Sequence, residues 1–222
     1  MHNGYACFRC YCLTIALLTI ATSAAFGVEP VDPGVGDPYP LAHCAIVPDV
    51  LLDETAEMVD LEGRELRVCC SDCVDRVLAN SFGATSEVDV RLVQQQLPIY
   101  PLDTCIVDDK PLFGLGTNNY IFRNRLFRLC SSKCQVKLEQ EPAKYFGKLD
   151  YAVIEKQKAD YPLETCVVSG KPLGADSVDH VVANQLVRLS GFDQLEQFGQ
   201  TPGKYLAIIR EAAKKKGQVQ GK

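Results

Sequence analysis

Short runs of apolar residues alternate along this chain with longer stretches that have helical spacing. The runs Tyr120-Ile121-Phe122 and Leu126-Phe127-Arg128-Leu129 flank a polar turn at Arg123-Asn124-Arg125. Two apolar runs joined by a short turn predict a β-hairpin. A similar pair of runs in the N-terminal half flanks Glu62-Gly63, which predicts a second hairpin.

The residues that follow the central hairpin predict two helices. Ser131 or Ser132 can cap a helix that runs to about Gln140. Pro142 suits the first turn of a second helix, because its missing N–H has no partner there in any case. An extended segment, a hairpin and two helices therefore form one predicted unit.

This unit is repeated. The tripeptide Tyr-Pro-Leu begins at Tyr39, Tyr100 and Tyr161, in steps of 61 residues, and each time a cysteine follows, at Cys44, Cys105 and Cys166. A fixed period of this length indicates a repeat architecture. We predict an α+β fold made of three tandem modules, with the first copy at 39–99, the second at 100–160 and the third at 161–222.

The first two copies share a pattern of three cysteines, Cys-x24-Cys-x3-Cys. It comprises Cys44, Cys69 and Cys73 in the first copy and Cys105, Cys130 and Cys134 in the second. One residue is deleted within the third copy, and beyond it Cys130 aligns with Ser190 and Cys134 with Gln194. The third copy is therefore degenerate, and we expect Cys166 to be a buried small apolar side chain.

The cysteine pattern favours a metal site. Residues at i and i+4 lie on one side of a helical turn, and a helix N-terminus favours the thiolate, which is the form that binds metal. Three thiolates suit Zn(II) or Cu(I), and a structural zinc site normally has a fourth ligand. Candidates for a fourth ligand are His43 or Cys70 in the first copy, and Asp108, Asp109 or a water in the second.

The second copy resembles the TRASH and YHS group of small heavy-metal-binding modules. The resemblance rests on Cys105, on the pair Cys130 and Cys134 at the predicted helix start, and on Pro142 and Tyr145 in the Pro-x-x-Tyr helix. The first spacing is slightly longer than is usual, and a Tyr-His-Ser signature is absent. The resemblance implies a treble-clef-like fold, a site for zinc, copper or another soft cation, and a role in metal sensing, trafficking or resistance.

The N-terminus predicts export. Residues 1–27 resemble a signal peptide, with Arg9, the apolar run 13–20 and small residues that suit cleavage near Ala24 or Ala25. An uncleaved anchor is the alternative, but the run is shorter than the about 20 apolar residues of a membrane span. The Pro- and Gly-containing residues 28–38 predict a flexible linker without stable elements.

Export also supports an alternative state for the cysteines. Three cysteines lie inside the leader and eight remain after it, and exported thiols are often oxidised. The alternative function is therefore a disulfide-stapled exported scaffold that binds another exported protein. The three thiols of the shared pattern leave one without a partner after any pairing among them, which favours metal.

Charge and motifs narrow the class of function. The net charge of −5, which becomes −6 without the leader, argues against a nucleic-acid partner. No phosphate loop, His-Glu-x-x-His motif or positioned nucleophile and base is present, so we expect no enzyme. His180 is expected to pack or face water, and three recurring arginines are expected to form structural salt bridges, namely Arg67, Arg128 and Arg188.

Overall fold

A computed structural model describes residues 36–112 and 117–220, with side chains as far as residue 217. The predicted signal peptide and the linker residues 28–35 lie outside the described residues. The fold is α+β, as predicted, and the described part contains three two-stranded antiparallel hairpins and six α-helices. None of the described helices is both long and apolar enough to cross a membrane.

A hairpin followed by two helices occurs three times along the chain. The elements are β1 Glu57–Leu61, β2 Arg64–Val68, α1 Ser71–Ala79, α2 Ser81–Gln96, β3 Asn118–Phe122, β4 Arg125–Leu129, α3 Ser132–Gln140, α4 Pro142–Gln157, β5 Val178–Val182, β6 Gln185–Leu189, α5 Leu195–Gln200 and α6 Pro202–Gln220. Short 3-10 turns lie at Leu97–Ile99 and Phe192–Gln194.

All three hairpins have a two-residue turn whose central residues both have positive φ. These pairs are Glu62 and Gly63, Arg123 and Asn124, and Ala183 and Asn184. Positive φ at both positions characterises the type I′ turn, whose twist matches that of the flanking strands. The turns predicted in the first two hairpins are confirmed, although Arg125 already opens β4.

The helix starts of the second copy also lie where the sequence predicts them. The hydroxyl of Ser131 caps α3 by accepting a hydrogen bond from the N–H of Cys134, at 3.4 Å, and Pro142 occupies the first turn of α4. Gly191 replaces this serine in the third copy and has no side chain to cap with. The first helical segment there is accordingly a 3-10 turn followed by the short helix α5.

Successive copies are joined by equivalent hydrogen bonds. The buried amide of Gln96 at the end of α2 donates to the carbonyl of Asn124 at 2.9 Å and accepts from the N–H of Leu126 at 2.8 Å. Gln157 at the end of α4 makes the same pair of bonds to the β5–β6 hairpin. Each long helix thus aligns the hairpin of the next copy.

The third copy also contacts the first. Arg67 in β2 donates hydrogen bonds to the carbonyls of Gly199, at 2.6 Å, and of Gln200. Gly203 at the start of α6 lies so close to the backbone of Leu41 that a Cβ atom there would overlap its carbonyl. These contacts pack the start of α6 and the residues just before it against the first copy.

Asp37 lies within the segment predicted to be a linker and is buried. Residues 36–38 form no helix or strand, but the Asp37 carboxylate binds the guanidinium of Arg125 at 2.6 and 2.7 Å. It also accepts a hydrogen bond from the N–H of Ala183 at 2.8 Å. The last residues of this segment are therefore fixed to the second and third copies.

The other predictions for single residues have mixed outcomes. Cys166 is buried, and His180 is half-buried with its ring edge-on to Phe198, at 5.9 Å between centroids. Arg67 and Arg188 form ion pairs as predicted. The prediction is wrong for Arg128, whose guanidinium lies over the Tyr100 ring at 5.8 Å and forms no ion pair with a described residue.

Candidate metal centres

The first cysteine of each pattern lies at the start of a tight turn. The N–H of Cys105 donates to the carbonyl of Lys110 at 2.8 Å, and the N–H of Asp109 donates back to the carbonyl of Cys105 at 3.0 Å. Asp109 closes this turn with a φ of 57°. In the first copy the N–H of Cys44 donates to the carbonyl of Val50 at 2.9 Å, one residue further along.

The other two cysteines lie where the hairpin meets the first helix. Cys130 directly follows β4, and Cys134 lies in the first turn of α3. Cys69 and Cys73 have the same positions relative to β2 and α1. The fold therefore places one thiol from a turn opposite two thiols from a strand–helix junction.

In the second copy this arrangement forms a four-residue cluster. Ligand atoms of Cys105, Asp108, Cys130 and Cys134 all lie within 4.8 Å of one another. The Sγ atoms of Cys130 and Cys134 are 3.7 Å apart, and the Sγ of Cys130 lies 3.3 and 3.4 Å from the two carboxylate oxygens of Asp108. We refer to these four residues as site 2.

The first copy forms a cluster of three residues. The Sγ atoms of Cys44, Cys69 and Cys73 lie within 4.8 Å of one another, and those of Cys69 and Cys73 are 3.8 Å apart. Cys44 and Cys73 are buried and Cys69 is half-buried. We refer to these three residues as site 1.

The distance from Cys69 to Cys73, and those from Cys130 to Cys134 and Asp108, match the separations between ligands of one metal ion. Zn–S bonds of about 2.3 Å in tetrahedral geometry place two sulfurs about 3.8 Å apart, and a zinc-bound carboxylate oxygen lies about 3.5 Å from a sulfur. A disulfide would require sulfurs about 2.05 Å apart. The eight described cysteines are all free thiols.

The fourth position differs between the two sites. Among the candidates named from the sequence, Asp108 belongs to site 2, whereas Asp109 points to Lys148 and forms an ion pair at 2.7 Å. His43 and Cys70 are not members of site 1. Cys70 is exposed, with its Sγ 3.8 Å from that of Cys69. Val47 occupies the place of Asp108, so the first copy offers no carboxylate there.

Thiol protonation at site 2 depends on the neighbouring groups. Desolvation, the Asp108 carboxylate and the Cys134 thiol together raise the pKa of Cys130 to about 12. Desolvation opposes ionisation of Asp108, but hydrogen bonds from the Cys105 thiol, Lys110 and the Cys130 thiol outweigh it and lower the Asp108 pKa. The Nζ of Lys110 lies 3.1 Å from that carboxylate. The ionised Asp108 carboxylate thus faces a Cys130 thiol that stays protonated near neutral pH until a cation displaces its proton.

The thiols of site 1 differ among themselves. Desolvation and the thiols of Cys70 and Cys69 raise the pKa of Cys73 to about 12, and desolvation and the Cys44 thiol raise that of Cys69. Burial also opposes ionisation of Cys44, but hydrogen bonds from backbone N–H groups outweigh it and lower its pKa. One of these bonds is donated by Ile46 at 3.4 Å. Cys44 is therefore the thiol of site 1 that ionises most readily.

The third copy keeps the turn but not the cluster. The N–H of Cys166 donates to the carbonyl of Lys171 at 2.8 Å, as in the second copy. The hydroxyls of Ser169 and Ser190, which align with Asp108 and Cys130, are hydrogen-bonded at 2.9 Å. Burial opposes ionisation of Cys166, but hydrogen bonds from Ser169 outweigh it and lower its pKa to about 7. The neutral hydroxyls of Ser169 and Ser190 thus stand where site 2 has the carboxylate of Asp108 and the thiol of Cys130.

Sequence reasoning included Asp108 only as one of several fourth ligands. Its position three residues after Cys105 is the local signal, since the turn directs that residue back towards the cysteines.

Comparisons with protein-family models, with curated proteins and with solved structures find no match to this chain.

Proposed function

We propose that this chain is an exported, non-enzymatic metal-binding protein in which sites 1 and 2 each bind one soft metal ion. The observation that carries the proposal is the convergence of three thiols at each site, with ligand atoms within 4.8 Å of one another in two copies of the same structure. The third copy, in which Ser190 and Gln194 replace two of the cysteines, forms no such cluster among the described residues.

The two sites differ in the metal that each would prefer. Site 2 offers three sulfurs and a carboxylate, a closed set of four donors that suits Zn(II). Site 1 offers three sulfurs alone, which suits Cu(I), or Zn(II) with a fourth ligand from solvent or a partner. We infer that site 2 is a zinc site and that site 1 has an open position from which metal can be transferred.

Several parts of the proposal rest on the sequence. The leader-like residues 1–27 support export, and the three-cysteine pattern with its Pro-x-x-Tyr helix supports kinship with TRASH and YHS modules. Three treble-clef-like modules at 39–99, 100–160 and 161–222 would follow from that kinship. Metal sensing, trafficking or resistance is the corresponding role.

Elemental analysis together with a thiol count tests the proposal. The full chain is purified under reducing conditions without chelators, and metal is measured per protein. We expect two equivalents of zinc or copper, falling to one in Cys44→Ser/Cys73→Ser and in Cys105→Ser/Cys134→Ser. Cys166→Ser is the matched control, because Cys166 lies in no cluster, and it keeps both equivalents. Metal-free protein under these conditions would refute the proposal.

A second sample, purified without reductant or chelator, distinguishes the alternative of a disulfide-stapled scaffold. Alkylation of the unfolded, non-reduced chain counts free thiols by intact mass. Eight alkylated thiols on the chain without its leader exclude stapling, whereas two or more missing modifications, without metal, favour the scaffold.

A further inference from the structure

A cleft of about 290 Å³ lies between the first and third copies, and none of the thiol-cluster residues lines it. It opens between α2 and α6 beside the segment that precedes Cys44. Its polar lining is formed by His43, Arg91, Gln95, Arg210 and Glu211. His43, considered above as a metal ligand, thus lines this cleft and not site 1.

Arg91 forms one side of the cleft and is held in place by the backbone. Its Nη1 donates to the carbonyl of Cys44 at 3.1 Å, and its Nη2 donates to the carbonyl of Ala45 at 2.6 Å. A guanidinium has five N–H groups, so three remain after these two bonds. No described carboxylate forms an ion pair with Arg91.

Arg210 forms the opposite side, and its hydrogen-bond partners among the described residues are all side-chain amides. Its Nη1 donates to the Gln185 side-chain oxygen at 3.1 Å, and the amide oxygen of Gln95, in the orientation that satisfies both groups, accepts from Nη1 at 3.1 Å and Nη2 at 2.9 Å. The carboxylate of Glu211 is engaged by Lys214 at 2.7 Å. Burial lowers the pKa of Arg210 to about 10, opposed only weakly by Glu211.

Two half-buried arginines without a counter-ion in one cleft require an explanation. A buried charge is costly unless it is paired, and both guanidinium groups here are hydrogen-bonded only to neutral oxygens within the described residues. The whole chain is acidic, with a net charge of −5, so this cationic cleft is not part of a generally basic surface.

We propose that the cleft binds a small oxyanion, with phosphate or carboxylate groups, between Arg91 and Arg210. Guanidinium groups match the planar geometry of such oxygens and bind them with paired, charge-assisted hydrogen bonds. The volume lies at the lower end of the range of small-molecule pockets and leaves room for a small oxyanion together with water. The inference does not depend on the proposed metal function.

Titration calorimetry on the full chain at low ionic strength tests this site with inorganic phosphate and with succinate, two anions that distinguish the phosphoryl and carboxylate sources. We expect 1:1 binding of at least one anion with a Kd of about 1 mM or tighter. Arg210→Gln should weaken binding at least about tenfold, the loss of one charge-assisted contact. Arg76→Gln, which removes the same charge from an exposed position on α1, should leave binding unchanged.

A second variant covers the case in which Arg210→Gln does not fold. Ala207→Glu places a carboxylate one helical turn before Arg210 in α6, where it supplies the missing counter-ion and occupies the cleft. We expect this variant to be at least as stable as the native chain and to lose anion binding. The proposal is overturned if neither anion shows saturable binding to the native chain. It is also overturned if Ala207→Glu binds the anion as tightly as the native chain does.

Discussion

Asp37 and Arg125 form a buried ion pair that joins the start of the described chain to its centre. Their side chains are 2% and 1% exposed, and both carboxylate oxygens accept from the guanidinium. Arg125 also donates to Asp150 and to the carbonyl of Val181, so residues from the second copy, the third copy and the segment ahead of the first copy meet around one cation. Asp37 lies ahead of the first copy, so its contacts fix the start of the described chain to the second and third copies.

Asp37→Ala is expected to destabilise the protein strongly. Removal of Asp37 leaves the buried guanidinium with the Asp150 carboxylate and the Val181 carbonyl, and breaking a buried pair costs about 3–5 kcal/mol. Urea denaturation of the chelator-treated protein measures the change. Asp53→Ala is the control, because within the described part of the chain its carboxylate bonds only the exposed Thr55. A loss below about 1 kcal/mol, the scale of an exposed pair, would contradict the role given to Asp37.

Asp108→Asn is expected to lower the zinc affinity of site 2 selectively. The Asp108 carboxylate supplies the fourth donor. Mutation of residues that only hydrogen-bond to metal ligands already lowers metal affinity by about 10–100-fold, so we expect at least this loss. Competition with a chromophoric chelator measures the affinity in a Cys44→Ser/Cys73→Ser background, where only site 2 remains. Asp109→Asn, one residue away and paired with Lys148, should keep the affinity. Equal affinities for the two variants would show that Asp108 is not a ligand.

Metal binding is expected to release protons and to weaken as the pH falls. The pKa values of about 12 for Cys73 and Cys130 mean that these thiols are protonated near neutral pH. A metal binds the thiolate and therefore displaces a proton at each site. Calorimetry in buffers of different ionisation enthalpy should report at least one proton per ion. Affinity independent of pH between 6 and 8 would be inconsistent with thiolate ligands.

The metal-free protein is expected to lose stability as the pH falls below neutral, in part through His180. Burial lowers the folded-state pKa of His180 below the unfolded value of about 6.5. Stability from this group is therefore fully present above about pH 6.5 and declines as the pH falls through the folded pKa. Denaturation between pH 8 and 5 should show a shallower decline in His180→Phe. His43→Phe is the control, because His43 is exposed, and its stability should decline with pH as in the native chain. An identical decline in all three proteins would show that His180 does not contribute to the pH dependence.

A third metal site should be recoverable in the third copy. Cys166 keeps the turn of the ligand cysteines, while Ser190 and Gln194 stand where the other two thiols would be. We expect Ser190→Cys/Gln194→Cys to raise the bound metal by up to one equivalent, measured by elemental analysis. Ser190→Cys alone, with two thiols, is the control and should add less. No gain in the double variant would show that the 3-10 turn at Phe192–Gln194 holds position 194 away from the cluster.

The repeat and its local elements are readable from the sequence because they depend on neighbouring residues. The turn at Arg123-Asn124, the Ser131 cap and Pro142 each act within a few positions, so their types and spacing suffice to predict the hairpin and both helices of the second copy. The three cysteines are predictable for the same reason, since they lie at defined points of one repeated unit. Gly191 shows the converse, because the loss of one capping side chain accompanies a shorter helix.

The tertiary structure alone decides which groups from distant positions meet. The burial of Asp37 against Arg125 joins residues 88 positions apart, and no local pattern predicts it. The same holds for Arg91 and Arg210, which line one cleft. Their sequence neighbours alone would predict that each arginine side chain extends into solvent. At site 2 the sequence names the donors, but the backbone of the turn selects Asp108 over Asp109, because only one of two adjacent carboxylates can face the thiols.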